Sequence, residues 1–553
     1  MQDESIRPVP ITKSHHPFTC GVTGATYTHQ EFFDRSERLS RTLANQHGWA
    51  PDAQTPWDKV ACIFSLNTID YMTAAYAVHR LSGIVTPANA VYTPAELAHQ
   101  LTSSGSKALF TCPSLITTAV AAAEIAGLQR RHIYLLPVTG EAVPQGNDLW
   151  TLEDMISKGS SLTPVPPLVF GKGQGAEQPA FLCYSSGTSG NPKAVMISHR
   201  NVIANILQMY AYESRGRQEK RVESQVLLAP LPMSHIYALV VAAHVAVWRG
   251  DGFIILPKYE LESFLGAIQR FKVQQILVVP PILLQILRSR DICAKYDLNS
   301  VRFLFSGAAP LGEETINEIK NVYPKWTIAQ AYGMTETSVC VTVPSEHDIV
   351  PRASGSLLPD MAIKLLGEDG KEITTHDQPG EIYVRSPSVV LGYLRNDKAN
   401  SETFISGADG RWIRTGDIGL MTKVPSGNEQ LVIVDRIKEM IKVMGHQVAP
   451  AELEAHLLAH PLVADCAVIQ IPDPKAGEVP KAFVVRSPTA MSEAEGSVSA
   501  ALKAWVTDHK APYKALRGGI EFVDVIPKSP SGKILRRELR EREKGKLTPK
   551  AKL

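Results

Sequence analysis

Short apolar runs alternate along the chain with longer stretches in which apolar side chains recur at helical spacing. Val60-Ala61-Cys62-Ile63-Phe64 is wholly apolar and predicts a strand buried on both faces. The runs at 107–111, 132–136, 275–279 and 301–305 predict further strands. Helix starts stand between them. Thr93-Pro94-Ala95-Glu96 combines a capping hydroxyl, a proline at the first helical position and a capping-box glutamate. Thr28 and Glu31 repeat the box ahead of Phe32, Leu39 and Leu43. Strands alternating with helices predict parallel α/β layers.

Past about residue 355 the texture changes. Gly380-Glu381-Ile382-Tyr383-Val384 and the run 431–434 read as short strands between Gly, Pro and Asp turns. A third unit starts near Asp435, with a helix over 451–458, a strand near 467–471 and a basic tail. The fold expected is α/β: a large N-terminal domain of α/β layers plus a small β-rich subdomain over 1–435, then a small α+β domain over 436–553. The Pro- and Gly-rich segment 164–178 reads as a surface loop, and 536–553 as a solvated helix with a frayed end.

Composition narrows the function. Lys and Arg number 57 against 55 acidic residues, which argues against binding nucleic acid through bulk charge. The seven cysteines are odd in number, widely spaced and without a C-x-x-C, which argues against a disulfide framework or a Cys-based zinc site. The polar start MQDESIRPVP lacks an apolar signal core, and the most apolar stretch, 237–248, is too short to span a bilayer and contains His244. These features predict a soluble protein of a reducing compartment, with no membrane span.

The sharpest chemical signal is Tyr184-Ser185-Ser186-Gly187-Thr188-Ser189-Gly190-Asn191-Pro192-Lys193, directly after an apolar run. Its glycines let backbone N–H groups approach an anion, its hydroxyls add donors, and Lys193 adds charge. Such a loop suits a polyphosphate, although its composition also fits an ordinary surface loop. The P-loop pattern does not fit, because Asn191-Pro192 separate Gly190 from Lys193.

With these residues the chain resembles the adenylate-forming enzymes: acyl-CoA synthetases, coumarate–CoA ligases, beetle luciferases and peptide-synthetase adenylation domains. Further blocks follow in the family's order: Pro230-Leu231-Pro232-Met233-Ser234-His235, Ser306-Gly307-Ala308-Ala309-Pro310-Leu311-Gly312, Tyr332-Gly333-Met334-Thr335-Glu336, Trp412-Ile413-Arg414-Thr415-Gly416-Asp417, Asp435-Arg436-Ile437-Lys438-Glu439 and Pro527-Lys528-Ser529-Pro530-Ser531-Gly532-Lys533. The resemblance runs from about residue 25 to 540. It is nearest to the coumarate–CoA ligase and luciferase branch, through Gln447-Val448-Ala449-Pro450-Ala451-Glu452.

The resemblance implies an ATP-dependent acid–CoA ligase that works through an acyl-AMP, with ATP, Mg²⁺ and coenzyme A as its small-molecule partners beside a carboxylic acid. Gln330, Ala331, Tyr332, Gly333 and the loop Ser185–Lys193 would hold the nucleotide, with Tyr332 along the adenine. Thr335 and Glu336 would meet Mg²⁺. Asp417, in a turn, would accept from the ribose hydroxyls, and Arg436 would contact ribose or phosphate. Lys533 would bridge carboxylate and α-phosphate, and His235 would gate the acyl pocket. The C-terminal domain would swing about Lys438. One pose would present Lys533 to ATP, the other the face bearing Lys442, Gly445 and Gln447. Tyr237, Val241, Phe305, Ala308, Ala331, Val339 and Cys340 would line the acyl pocket. None of these is charged, so a hydrophobic acid is expected.

Two positions depart from the pattern. Ala331 stands where the family commonly has Gly, which reshapes the pocket beside Phe305. Met444 stands where related ligases often carry Lys near CoA, which leaves transfer to a separate carrier protein as an alternative. Luciferase-like oxidation is a second alternative, and a catalytically dead binding relative a third, opposed by Lys193, Glu336, Asp417 and Lys533. The terminal Ala-Lys-Leu is similar to a peroxisomal address and implies an import receptor as partner, with a cytoplasmic location as the alternative.

Overall fold

Two mostly parallel sheets organise the N-terminal part of the chain in the computed structural model, which describes residues 4–185, 192–529 and 532–547. The predicted strand Val60–Phe64 is buried at all five positions, between the parallel strands Ile84–Ala88 and Ala108–Thr111. Its eight-stranded sheet continues through Pro179–Ser185 to the antiparallel neighbours Lys193–Ser198 and Gly392–Tyr393. The second sheet has seven strands. Thr327–Gln330, Phe303–Ser306, Gln275–Val278, Val226–Leu228, Gly252–Ile255 and Phe18–Cys20 run parallel in that order. Phe18, Phe110, Phe181, Phe253, Leu277 and Phe305 belong to one core shared by both sheets and the helices between them. Both expected capping boxes form, at His29–His47 and Pro94–Ser104.

The β-rich texture after residue 355 corresponds to a six-stranded antiparallel sheet that includes Gly380–Arg385, Gly410–Lys423 and Glu429–Arg436. A separate core then begins, built on Ile441, Leu453, Val468, Val484 and Leu502. The passage between the two cores falls over residues 437–439, a turn in which Lys438 is exposed.

Two segments differ from their sequence reading, and a third, read only as apolar and too short to span a bilayer, takes an unusual helical form. Tyr237–Ala246 is wound as a π-helix with all ten residues buried. Apolarity around the whole circumference reports burial, not the pitch of the helix. Segment 164–178 is not surface throughout, since Val165 packs into the core and Gln174–Glu177 forms a helical turn. The tail helix Arg536–Leu547 is docked as well as solvated. Arg536 pairs with Glu454 at 2.6 Å, Arg540 with Glu439 at 2.6 Å, and Leu539 is buried. Arg536, Leu539 and Arg540 share one helix face by their spacing, which a dense run of charges conceals. Among the described residues no helix is long and apolar enough to cross a membrane. All seven cysteines are unpaired and buried.

Candidate active site

The second sheet gathers the motif residues at the carboxyl ends of its parallel strands, where crevices in open α/β sheets lie. The loop after Val226–Leu228 carries His235, Phe303–Ser306 leads into Gly307 and Ala308, and Thr327–Gln330 leads into Ala331 and Tyr332. Val279, after Gln275–Val278, meets the end of the C-terminal domain. A side chain at Gly532 would come 3.2 Å from Val279 and 3.4 Å from Pro281.

Asp417 sits within the strand Gly410–Lys423 and not in a turn, directly opposite Arg436 on Glu429–Arg436. Gly416, at φ 73°, kinks the strand just before it, which is the turn-like signal in the sequence. The Tyr332 hydroxyl donates to one carboxylate oxygen at 2.7 Å and Arg436 Nε to the other at 3.1 Å. Asp417 is 5% exposed. Burial and then the Asp417 charge hold the Tyr332 phenol far above its ordinary value, so it stays a donor. Each carboxylate oxygen keeps a further lone pair, enough to accept two hydroxyls of a diol.

Glu336 lies in the short 3₁₀ turn Thr335–Thr337 and is 7% exposed. The Tyr393 hydroxyl donates to it at 2.9 Å. The Tyr393 ring in turn lies 4.9 Å beneath the Lys193 ammonium. Ser185 and Lys193 face each other across the hairpin that carries the glycine-rich loop. Ser186, Gly187, Thr188, Ser189 and Gly190 lie outside the described residues. Among the described residues no group of three or more His, Cys, Asp or Glu could hold a metal. A single carboxylate with a neighbouring Thr335 hydroxyl fits Mg²⁺, which keeps several waters and takes ligands from nucleotide phosphates.

Lys533 stands among Arg436, Asp417, Glu439 and Glu336, all of which act on its charge. Burial, and then Arg436, bring its proton affinity down to about 8, with the carboxylates opposing. A turn fixes it: its N–H donates to Ser529 Oγ at 3.2 Å, and its carbonyl accepts from the Ser529 N–H at 2.8 Å. Burial, and then Lys533, lower His235 to about 4. The Tyr237 N–H donates to His235 Nδ1 at 3.3 Å, so the neutral ring carries its proton on Nε2.

Tyr237 opens the π-helix. Its hydroxyl donates to the Phe305 carbonyl at 2.7 Å, and its ring leaves 3.3 Å to a side chain placed at Gly307. Burial and then Cys340 raise its phenol well above the ordinary value. Val241, Phe305, Val339 and Cys340 are buried, Ala331 is half-buried, and Ala308 is exposed with φ 67°. Gln330 is turned to structure, since its side-chain oxygen accepts from the Leu311 N–H at 2.5 Å.

Lys442, Gly445 and Gln447 are held apart from this cluster. Lys442 and Gln447 are opposite partners in an exposed hairpin whose tip is Met444-Gly445, both at positive φ, and Gln447 bonds to Glu368. The sequence reading missed Tyr393, Glu439 and a row of amides on His199–Glu219. Tyr393 sits in a two-residue strand, too short for any periodicity. The amides recur at helical spacing, but nothing in the sequence marks theirs as the buried face, and the apolar Ile203 and Leu207 of the same helix are exposed.

The profile of the AMP-binding enzyme family matches residues 12–394, and that of the AMP-binding enzyme C-terminal domain residues 452–533. The chain is 38% identical to acyl-CoA ligase cm3C of Cordyceps militaris, over 96% of this chain and 85% of that protein. It is 37% identical to acyl-CoA ligase easD of Emericella nidulans, over 95% and 92%. Its fold is that of ATP-bound MatB from Rhodopseudomonas palustris, with a TM-score of 0.79 at 25% identity over 97% of both chains. The anthranilate CoA ligase AuaEII with anthranoyl-AMP shares the fold at a TM-score of 0.80 and 23% identity, over 96% of this chain and 95% of that one.

Proposed function

The chain belongs to the AMP-binding enzyme family, and from that premise we propose that it is an AMP-forming ligase joining a hydrophobic carboxylic acid to coenzyme A. The observation that carries the reading is the half-buried Lys533, which follows Gly532 where that glycine meets Val279 and Pro281, and whose charge feels Arg436, Asp417 and Glu336. A cation of the C-terminal domain beside the nucleotide-binding candidates of the N-terminal one supports that reading. Acyl-CoA ligases among the relatives support the acceptor.

A carboxylate is a poor acyl donor until its oxygen becomes a good leaving group. Its oxygen attacks the α-phosphorus of ATP, the bond to the β-phosphate oxygen breaks, and acyl-AMP and pyrophosphate result. The CoA sulfur then attacks the acyl carbon, AMP leaves, and the thiol proton passes to solvent. Asp417 accepts the ribose hydroxyls, held in place by Tyr332 and Arg436. Lys533 offsets charge between carboxylate and α-phosphate, and Lys193 adds a cation at the phosphate loop. Mg²⁺, when bound at Glu336, supplies charge neutralisation at the phosphates. Tyr237, Phe305 and Val241 give the acid an apolar site. The hairpin bearing Lys442, Gly445 and Gln447 serves thioester formation after the domain turns about Lys438. The terminal Ala-Lys-Leu, outside the described residues, supports peroxisomal import. Import should be lost when the C-terminus is blocked by a fused tag.

The test is acid-dependent exchange of labelled pyrophosphate into ATP, followed by thioester formation on adding CoA. Exchange without thioester would redirect the reading to a carrier protein. No exchange with any acid would end it.

Two outcomes are expected of the nucleotide site. Asp417→Ala strands both Arg436 and the Tyr332 hydroxyl. It should raise KM for ATP about ten- to a hundredfold and leave KM for the acid within about threefold. Equal damage to both would refute a ribose role. The second concerns pH. Lys533 acts as a cation, and its charge is lost as pH rises through about 8. Exchange at limiting ATP should therefore fall across that pH, since kcat/KM reports the free enzyme. Lys533→Arg stays charged and should flatten whatever profile remains. A flat wild-type profile would count against the assignment.

A further inference from the structure

The long helix His199–Glu219 carries polar side chains where it packs inward. Asn201, Asn205 and Gln208 fall at i, i+4 and i+7, on one face, and are buried. Each grips backbone. Asn201 donates to the carbonyls of Pro387 and Val389 at 2.8 and 3.0 Å, and Gln208 donates to the Pro359 carbonyl at 2.8 Å. Asn205 pairs with both backbone groups of Cys340. Its amide donates to the carbonyl at 2.9 Å, and its oxygen accepts from the N–H at 3.3 Å. A buried amide costs stability unless bonded, so an apolar residue would fill this face more simply were filling the only task.

The segment that Asn205 grips is strained. Ser338 has φ 56° and Val339 φ 113°, a region that a β-branched residue occupies only under constraint. The surroundings supply that constraint. Thr337 Oγ1, 3.0 Å from the carbonyls of both Met334 and Val339, shares its one proton between them, and Ser338 Oγ donates to the Ser388 carbonyl at 2.8 Å. Two residues before this pair stands Glu336. Val339 and Cys340, both buried, are among the residues the family resemblance assigns to the acid site.

We propose that Asn205 is a positioning residue for acid selection: by clamping Cys340 it holds Val339 in its strained conformation and so sets the shape of the acyl pocket. The proposal rests on the ligase reading above. It also explains why the amide is at this turn of the helix, one residue pair away from the strain.

The test uses the full chain and pyrophosphate exchange with octanoate, decanoate, benzoate and cinnamate. Asn205→Ala should shift the ratio of kcat/KM between the best and second-best acids by about tenfold or more, with KM for ATP within about twofold. Asn205→Asp is nearly isosteric, keeps the acceptor for the Cys340 N–H, and opposes the Cys340 carbonyl with a second oxygen. It should shift the ratio in the same direction, and it serves if the alanine variant does not fold. Val339→Gly makes φ 113° unstrained. In that background Asn205→Ala should move the ratio by less than about threefold, a non-additivity that a merely structural amide would not give. An unshifted ratio in both Asn205 variants, or full additivity with Val339→Gly, would overturn the proposal. Failure of the wild-type protein to activate any acid would instead overturn the ligase reading from which it starts.

Discussion

Lys533→Ala is expected to lower acid-dependent pyrophosphate exchange by about a hundred- to a thousandfold, yet to leave thioester formation from presynthesised acyl-AMP within several fold. The magnitude is that of removing one preorganised charge from a water-poor site. The asymmetry follows from position. Lys533 lies near enough to Arg436, Asp417 and Glu336 to feel their charges in the arrangement seen here, in which Gly532 lies close to Val279 and Pro281. In this arrangement the hairpin bearing Lys442, Gly445 and Gln447 is exposed. On the function proposed above, one small domain would carry two functional faces about 90 residues apart in sequence, and a turn about Lys438 would bring only one of them to the nucleotide site at a time. Equal loss in the two assays would contradict such alternation. Intact exchange would remove Lys533 from the chemistry altogether.

The parts of this fold legible in the sequence were those whose physics is local. A capping box is complete within four residues, and Thr28 with Glu31 and Thr93 with Glu96 each bond as their spacing requires. A strand buried on both faces needs only an unbroken apolar run, as at Val60–Phe64. The site was legible as separate blocks because its motifs carry unusual residue combinations. What the sequence could not show is how those blocks join. Asp417 meets Tyr332 and Arg436 from two other strands. Tyr393 reaches Glu336 from 57 residues away. The buried amides of His199–Glu219 look like any solvated polar positions until the opposite backbone is in place. Pitch was hidden too, since Tyr237–Ala246 is apolar at nearly every position and has no polar face to mark its period.

The backbone of the site carries its own constraint, and Gly333→Ala is expected to reduce exchange at least about a hundredfold with either substrate limiting, and to lower the thermal unfolding midpoint. A Cβ at Gly333 would stand 1.7 Å from the Val339 carbonyl oxygen, 2.6 Å from its carbon and 2.9 Å from Cys340 Cα. All three are backbone atoms, so no rotamer change relieves the overlap. The Val339 side of the contact cannot retreat without releasing the Thr337 and Asn205 bonds that hold it. The Gly333 side cannot retreat without moving Tyr332 off Asp417 or Glu336 off Tyr393, since it lies between them in the chain. Relief therefore separates the strand Tyr332–Met334 from Val339–Val343, at a cost above the roughly 1–3 kcal/mol of ordinary overpacking. Gly445→Ala is the contrast. Its φ of 82° makes alanine strained, but no atom lies within 4 Å of the added carbon. That variant should keep exchange near the wild-type rate, whatever it does to thioester formation. Should Gly333→Ala retain exchange within about threefold, the close approach of these strands is not what positions Tyr332 and Glu336.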